Sequence, residues 1–260
     1  MLKKIAQISA WVIVLVAWLI LSGFVNNKYH ELPLDEIEVS FEKGNDHDFI
    51  TRGEVMDMLS SSGIVSGVTI RNDFNILKLE SKFLSHPGVE QAEVFFVNNG
   101  KLKLSIKKRN PIGRVITTVP EKNFYIDDKG LPMRLCSTYV AKVPVFSGDV
   151  DLPETINILI RDSIKELPIV KTIFKMSELI NNDSFLKSQI VQIHINNNGY
   201  FELIPRIGNQ RIMFGRPENM EKKFKKIKLF YTSGPSSKEL RKYDTLNVIY
   251  ENQIICSKIN

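Results

Sequence analysis

Cysteine and histidine are scarce in this chain: two and four residues in 260, none of them in a pattern that chemistry requires. Cys136 and Cys256 are too few for a disulfide framework and have no clustered partners for a zinc site. They read as small buried apolar side chains, with a bond between them as the alternative. The histidines, His30, His47, His86 and His194, stand in unrelated contexts, and the chain holds no HExxH, GxSxG or P-loop motif. Carboxylates are plentiful, yet no spacing pairs two of them as acid and base. These absences argue for a binding protein with no catalytic residue, cofactor or metal. Zinc-finger spacing, a helix-turn-helix signature and aromatic RNP motifs are missing too. The net charge of +6 comes from Lys and Arg interspersed with Asp and Glu, so nucleic acid is not the expected partner. Low-complexity tracts are also absent, and 43% hydrophobic with 25% charged residues predicts folded domains.

What the chain does have is one long apolar run. From Ile5 to Val25 no residue is charged, and at about 1.5 Å per helical residue the run reaches about 30 Å, the thickness of a bilayer core. Lys3 and Lys4 precede it, and Lys28 is the only Lys or Arg between it and Lys43, so the positive-inside rule keeps the N-terminus in the cytoplasm. Everything beyond about Asn26 then lies outside. A cleaved signal peptide is the competing reading, but such apolar regions span about 7 to 15 residues, and Leu21-Ser22-Gly23 makes a poor cleavage site. A buried core helix would need a polar face at this length.

The segment after the linker alternates first with period two and then with helical period. Ile37 to Phe41 reads as a half-buried strand. Thr51-x-x-Glu54 is a capping box ahead of Val55, Met58 and Leu59, with Ser60-Ser61-Ser62-Gly63 as the stop. Asp73 is placed to cap a second helix carrying Ile76, Leu79 and Phe83, which His86-Pro87-Gly88 ends. Val89 to Val97 is strand-like, Asn99-Gly100 marks a turn, and Leu102, Leu104 and Ile106 alternate with Lys101, Lys103, Ser105 and Lys107. The order is β-α-α-β-β. Those lysines fall on the sheet face away from the helices, a solvated face rather than a lipid-contacting one, and Lys107-Lys108-Arg109 is not expected to be a binding site.

In the remaining chain, Phe124 to Gly130 reads as a strand running into a turn where Gly130 supplies positive φ. Apolar residues from Leu152 to Ile180 recur at helical spacing, with Pro153 suited to a first turn and Pro168 dividing the run into two helices. Gln189 to Phe214 predicts short antiparallel strands broken at Asn196 to Gly199 and at Gly208-Asn209. A helix from Pro217 to Tyr231 carries Met220, Phe224, Ile227 and Tyr231 as one core stripe.

Several phrases resemble one family in order. Leu84 to Val94, then Leu102 to Val115, look like the end of a POTRA domain running into the β-domain of FtsQ/DivIB bacterial cell-division proteins, with Gly113 where the family has a small alanine. Phe124 to Gly130, Val143 to Gly148, Arg211 to Gly215 followed by Glu221 to Phe230, and Thr245 to Cys256 are similar to later family phrases. The resemblance implies an α+β protein: a cytoplasmic tail at 1–4, a single N-terminal transmembrane helix at 5–25, a POTRA-like β-α-α-β-β domain at 36–109, and at 110–260 a β-rich mixed α/β domain with an antiparallel sheet.

The same resemblance implies a non-enzymatic scaffold of the cytoplasmic (inner) membrane at the division site. Its bulk would be periplasmic or extracytoplasmic, and the POTRA-like domain would help to localise it. The implied partners are FtsB/DivIC-like and FtsL-like single-span proteins, together with the septal peptidoglycan synthase complex that it would help to control. Thr245 to Lys258 is the expected edge for a partner strand, with Tyr250, Glu251, Asn252, Gln253, Ile254 and Ile255 as contact residues. Alternation equally allows Leu246, Val248 and Tyr250 to face the core. Two other functions compete: a POTRA-containing assembly chaperone, for which the alternating segments of a barrel are absent, and an extracytoplasmic cell-wall-binding protein or enzyme.

Overall fold

The structure is a computed structural model that describes residues 11–22, 34–42, 48–69, 75–97, 100–136, 138–150, 152 and 164–258. These form two compact units: one holds the residues up to Gly44 and Ile50–Lys108, the other Asn45–Phe49 and Arg109–Asn260. Residues 11–22 are helical with exposed side chains, and the ends of the Ile5 to Val25 run lie outside the described residues. Among the described residues no helix is long and apolar enough to cross a membrane.

The first unit follows the expected β-α-α-β-β order: β1 (Glu36–Phe41), α1 (Arg52–Ser60), α2 (Ile76–Leu84), β2 (Val89–Val97) and β3 (Lys101–Lys108). The Thr51 hydroxyl accepts from the Glu54 N–H at 3.2 Å, and the Glu54 carboxylate accepts from the Thr51 N–H at 2.9 Å, completing the capping box. Asp73 lies outside the described residues; Asn75 caps α2, accepting from the Lys78 N–H at 3.1 Å. The far end of α1 is closed by Lys82, whose ammonium donates to the Met58 carbonyl and to the Ser61 and Ser62 hydroxyls at 2.9, 2.8 and 2.7 Å.

Its three strands lie in the order β1-β3-β2, with β1 parallel to β3 and β2 antiparallel to it. Leu102, Leu104 and Ile106 are fully buried against Val55, Leu59, Leu79 and Phe83. On the outer face Lys101, Lys103 and Lys107 meet Glu36, Glu38 and Glu90 at 2.5, 3.4 and 3.0 Å. Such surface pairs add little stability, but the first two match the β1-β3 register, while Glu90 lies at the bulge between Val89 and Gln91.

The second unit is a nine-stranded sheet in the order β12-β11-β10-β9-β8-β7-β4-β5-β6. Its strands are β4 (Pro111–Val115), β5 (Phe124–Asp127), β6 (Pro132–Arg134), β7 (Val145–Gly148), β8 (Ile190–Ile195), β9 (Phe201–Pro205), β10 (Arg211–Gly215), β11 (Tyr243–Asn247) and β12 (Ile255–Lys258). Helices α3 (Pro168–Asn181), α4 (Ser184–Gln189), α5 (Met220–Ser233) and α6 (Ser237–Leu240) complete it. The sheet is mixed rather than antiparallel, because β4-β7, β7-β8 and β10-β11 run parallel. The physical reason lies in the connections: α3 and α4 stand between β7 and β8, and α5 and α6 between β10 and β11. A helical crossover returns the chain in the same direction, whereas tight turns give the antiparallel β8-β9-β10.

Pro168 opens α3 at its first turn, and Pro153 lies outside the described residues. The core joins Phe146, Ile193, Leu203, Ile212 and Phe214 of the sheet to Val170, Ile173, Met176 and Ile180 of α3 and to Phe224 and Ile227 of α5. A separate apolar cluster holds Phe49, Tyr125, Met133 and Ala141, with the Phe49 and Tyr125 rings edge-on at 5.3 Å. Cys136 and Cys256 are both free thiols and are half-buried, not the fully buried side chains expected.

Candidate functional site

The segment expected to receive a partner begins with the packing of α5. Phe224, Ile227 and Phe230 of this helix are buried, while Met220 and Tyr231 are partly buried beside them. With that face committed to the core, Lys222, Lys225 and Lys228 stay exposed, Lys226 turns toward the chain that follows β11, and Lys223 is buried. Strand β11 lies between β10 and β12, pairing Leu246 with Ile212 on one side and with Cys256 on the other. Thr245 to Asn247 therefore has neighbours on both sides and is not an edge. The edge proper is β12, Ile255–Lys258, which among the described residues pairs with β11 alone. Its outward row, which includes the N–H and C=O of Cys256, faces no strand among the described residues.

Residues 248–254 connect the two strands outside the ladder, apart from the Val248 N–H, which donates to the Met213 carbonyl of β10. Leu246 and Val248 are fully buried, but the alternation stops at Asn247 and the chain turns, so Tyr250 does not reach the core and stays 50% exposed. Glu251, Asn252 and Gln253 are exposed, Ile254 packs partly against the core, and Ile255 is 43% exposed on β12. The opposite edge of the sheet differs. Strand β6 opens on Pro132, which has no N–H, and the Pro132 carbonyl already accepts from Arg109 at 3.1 Å.

Two lysines of α5 hold the connection, and the sequence offered no sign of it beyond their helical spacing. The Lys226 ammonium donates to the Val248 carbonyl at 2.7 Å and to the Tyr250 carbonyl, and Lys222 pairs with Glu251 at 3.3 Å. Burial pushes the Lys226 pKa down, partly offset by the Glu251 charge. Lys223 faces elsewhere, donating to the Arg216 carbonyl at 2.7 Å above the Phe214 ring. Of the histidines, His86 sits just beyond α2 and His194 is exposed on β8, while His30 and His47 lie outside the described residues. Among the described residues no cluster of three or more His, Cys, Asp or Glu could hold a metal ion.

This unit coincides with a known domain. Residues 110–257 match the family described as FtsQ/DivIB, C-terminal related, more than half of the chain. The chain belongs to the FtsQ/DivIB family. Residues 35–107 match a POTRA-like domain, in agreement with the first unit. No curated protein matches the chain. Membership of the FtsQ/DivIB family ties it to cell division and to the protein interactions of the division complex. The FtsQ/DivIB match takes in β11, the connection and most of β12.

Proposed function

We propose that this FtsQ/DivIB-family protein is a non-enzymatic division scaffold whose strand β12 accepts an extended segment of an FtsB/DivIC-like partner, itself paired with an FtsL-like protein. The observation that carries this reading is an edge strand with a single neighbour, flanked by the exposed Tyr250 and Ile255, inside the family domain. Strand addition draws its affinity from backbone hydrogen bonds and its selectivity from alternate side chains. Through that partner pair the protein would help to control septal peptidoglycan synthesis, and the POTRA-like unit would help to bring it to the division site. The apolar run from Ile5 to Val25 would anchor it in the cytoplasmic membrane, N-terminus inside.

Ile255 and Ser257 turn their N–H groups toward Asn247 and Thr245 of β11, so the outward donor of the edge is the Cys256 N–H, which Cys256→Pro removes. The variant should fold normally by circular dichroism and fail to co-purify the FtsB/DivIC-like protein of its own cell. A folded variant that retains the partner in full would sink the reading. A reporter fused after Asn260 should be active only outside the cytoplasm, and recovery of a soluble form beginning near Phe24 would overturn the anchor.

A further inference from the structure

The connection between β11 and β12 is fastened at four successive residues, Val248 to Glu251. The Val248 N–H donates to the Met213 carbonyl at 3.1 Å, and the Ile249 N–H donates to Asn247 Oδ1 at 3.0 Å. Ile249 lies against Gly215, where an added Cβ would come within 2.8 Å of Ile249 Cγ1, and Gly215 has φ of 75°. Lys222 holds Glu251, and Lys226 gathers the carbonyls of Val248 and Tyr250 onto one ammonium. Two carbonyls two residues apart converge on one cation only when the intervening turn is fixed, so this bond selects one backbone path. Tyr250, half exposed, contributes little packing of its own to hold that path.

We propose that Lys226 is a positioning residue for the β12 edge: its ammonium pre-orders the 248–251 turn so that Tyr250 and Ile255 are presented before a partner arrives. The inference rests on the strand-addition reading above. Ordering a loop during binding opposes association, and a loop already ordered avoids that cost. Lys226 does this from α5, whose buried face anchors it to the core, so the turn inherits the rigidity of the helix. It does not need to touch the partner.

The test uses the full-length chain in detergent, titrated with the labelled FtsB/DivIC-like protein of the same cell. Lys226→Met keeps the aliphatic stem and removes the donor; affinity should fall about tenfold. Amide exchange at Ile249 to Asn252 should accelerate several-fold in the unliganded variant. Lys226→Arg, which can still donate to two carbonyls, should recover most of both. Asn247→Ala frees the Ile249 N–H from the other side and should loosen the same amides and weaken binding in the same direction. If Lys226→Met and Asn247→Ala both bind within about twofold of wild type while a folded Cys256→Pro abolishes binding, the positioning role is wrong and the edge stands. If a folded Cys256→Pro also binds fully, the edge reading itself fails.

Discussion

Arg109 and Asp127 form a buried ion pair: Arg109 donates through Nε and Nη2 to the same oxygen of Asp127, Oδ2, at 2.9 and 2.5 Å, with both side chains no more than 3% exposed. The guanidinium also donates to the carbonyls of Pro132 and Leu131, and Asp127 Oδ1 accepts from the N–H groups of Lys129 and Leu131 at 3.1 and 2.7 Å. One residue thereby fastens the end of β5, the following turn and the start of β6. Arg109→Met should leave Asp127 buried without its cation and cost about 3–5 kcal/mol. Urea unfolding of the variant would measure it. Asp127→Asn sets an NH2 donor against either the guanidinium or the Lys129 and Leu131 N–H groups and leaves the buried Arg109 uncompensated, so it should cost a similar amount.

Gly113 and Ser177 define a second close approach. A Cβ on Gly113 would stand 2.5 Å from Ser177 Oγ and 3.3 Å from Phe146, and that hydroxyl is buried with no hydrogen-bond partner. Gly113→Ala should therefore destabilise by about 1–3 kcal/mol through overpacking. Ser177→Ala should be neutral or stabilising, since it removes an unsatisfied hydroxyl. The double variant should recover part of the loss, and a double-mutant cycle of unfolding free energies would show the coupling.

His86 makes the first unit sensitive to acid. Burial lowers its pKa below the ordinary 6.5, with the Glu54 charge opposing the shift, and its Nδ1 accepts from the Gly88 N–H at 3.2 Å, which requires the neutral ring. A lowered folded-state pKa means that this contribution is fully present above about 6.5 and is lost as pH falls through the folded value. Denaturant midpoints between pH 7.5 and 5.5 should drop for wild type, and His86→Gln should flatten that part of the slope.

Tyr250→Ala separates binding from folding. Because the ring is half exposed, the melting temperature should hardly move. Loss of an aromatic anchor at the edge should cost about 2 kcal/mol of partner affinity. Parallel thermal melts and titrations decide the matter: a large drop in melting temperature with unchanged affinity would make Tyr250 a structural residue.

The sequence by itself determined the elements whose signals are local. The capping box at Thr51 and Glu54, the alternation of Leu102, Leu104 and Ile106 and the turn at Gly130 each depend on residues within about two turns of one another and appear where the pattern places them, whereas of the expected α5 stripe only Phe224 and Ile227 are buried, with Phe230 beside them in place of Met220 and Tyr231. The POTRA-like order and the family were legible for the same reason. What only the tertiary structure decided depends on residues far apart in the chain. Arg109 looked like the last member of a basic cluster, and nothing nearby shows that Asp127 will close on it. Phe49 precedes α1 yet belongs with Tyr125 in the second unit. The parallel pairing of β10 with β11 follows from the path of two helices, and that pairing makes β12, not the whole of Thr245 to Lys258, the edge. The hold of Lys226 on residues 248–250 belongs to the same class, because a lysine at helical spacing looks the same in sequence whether it faces water or two carbonyls across a turn.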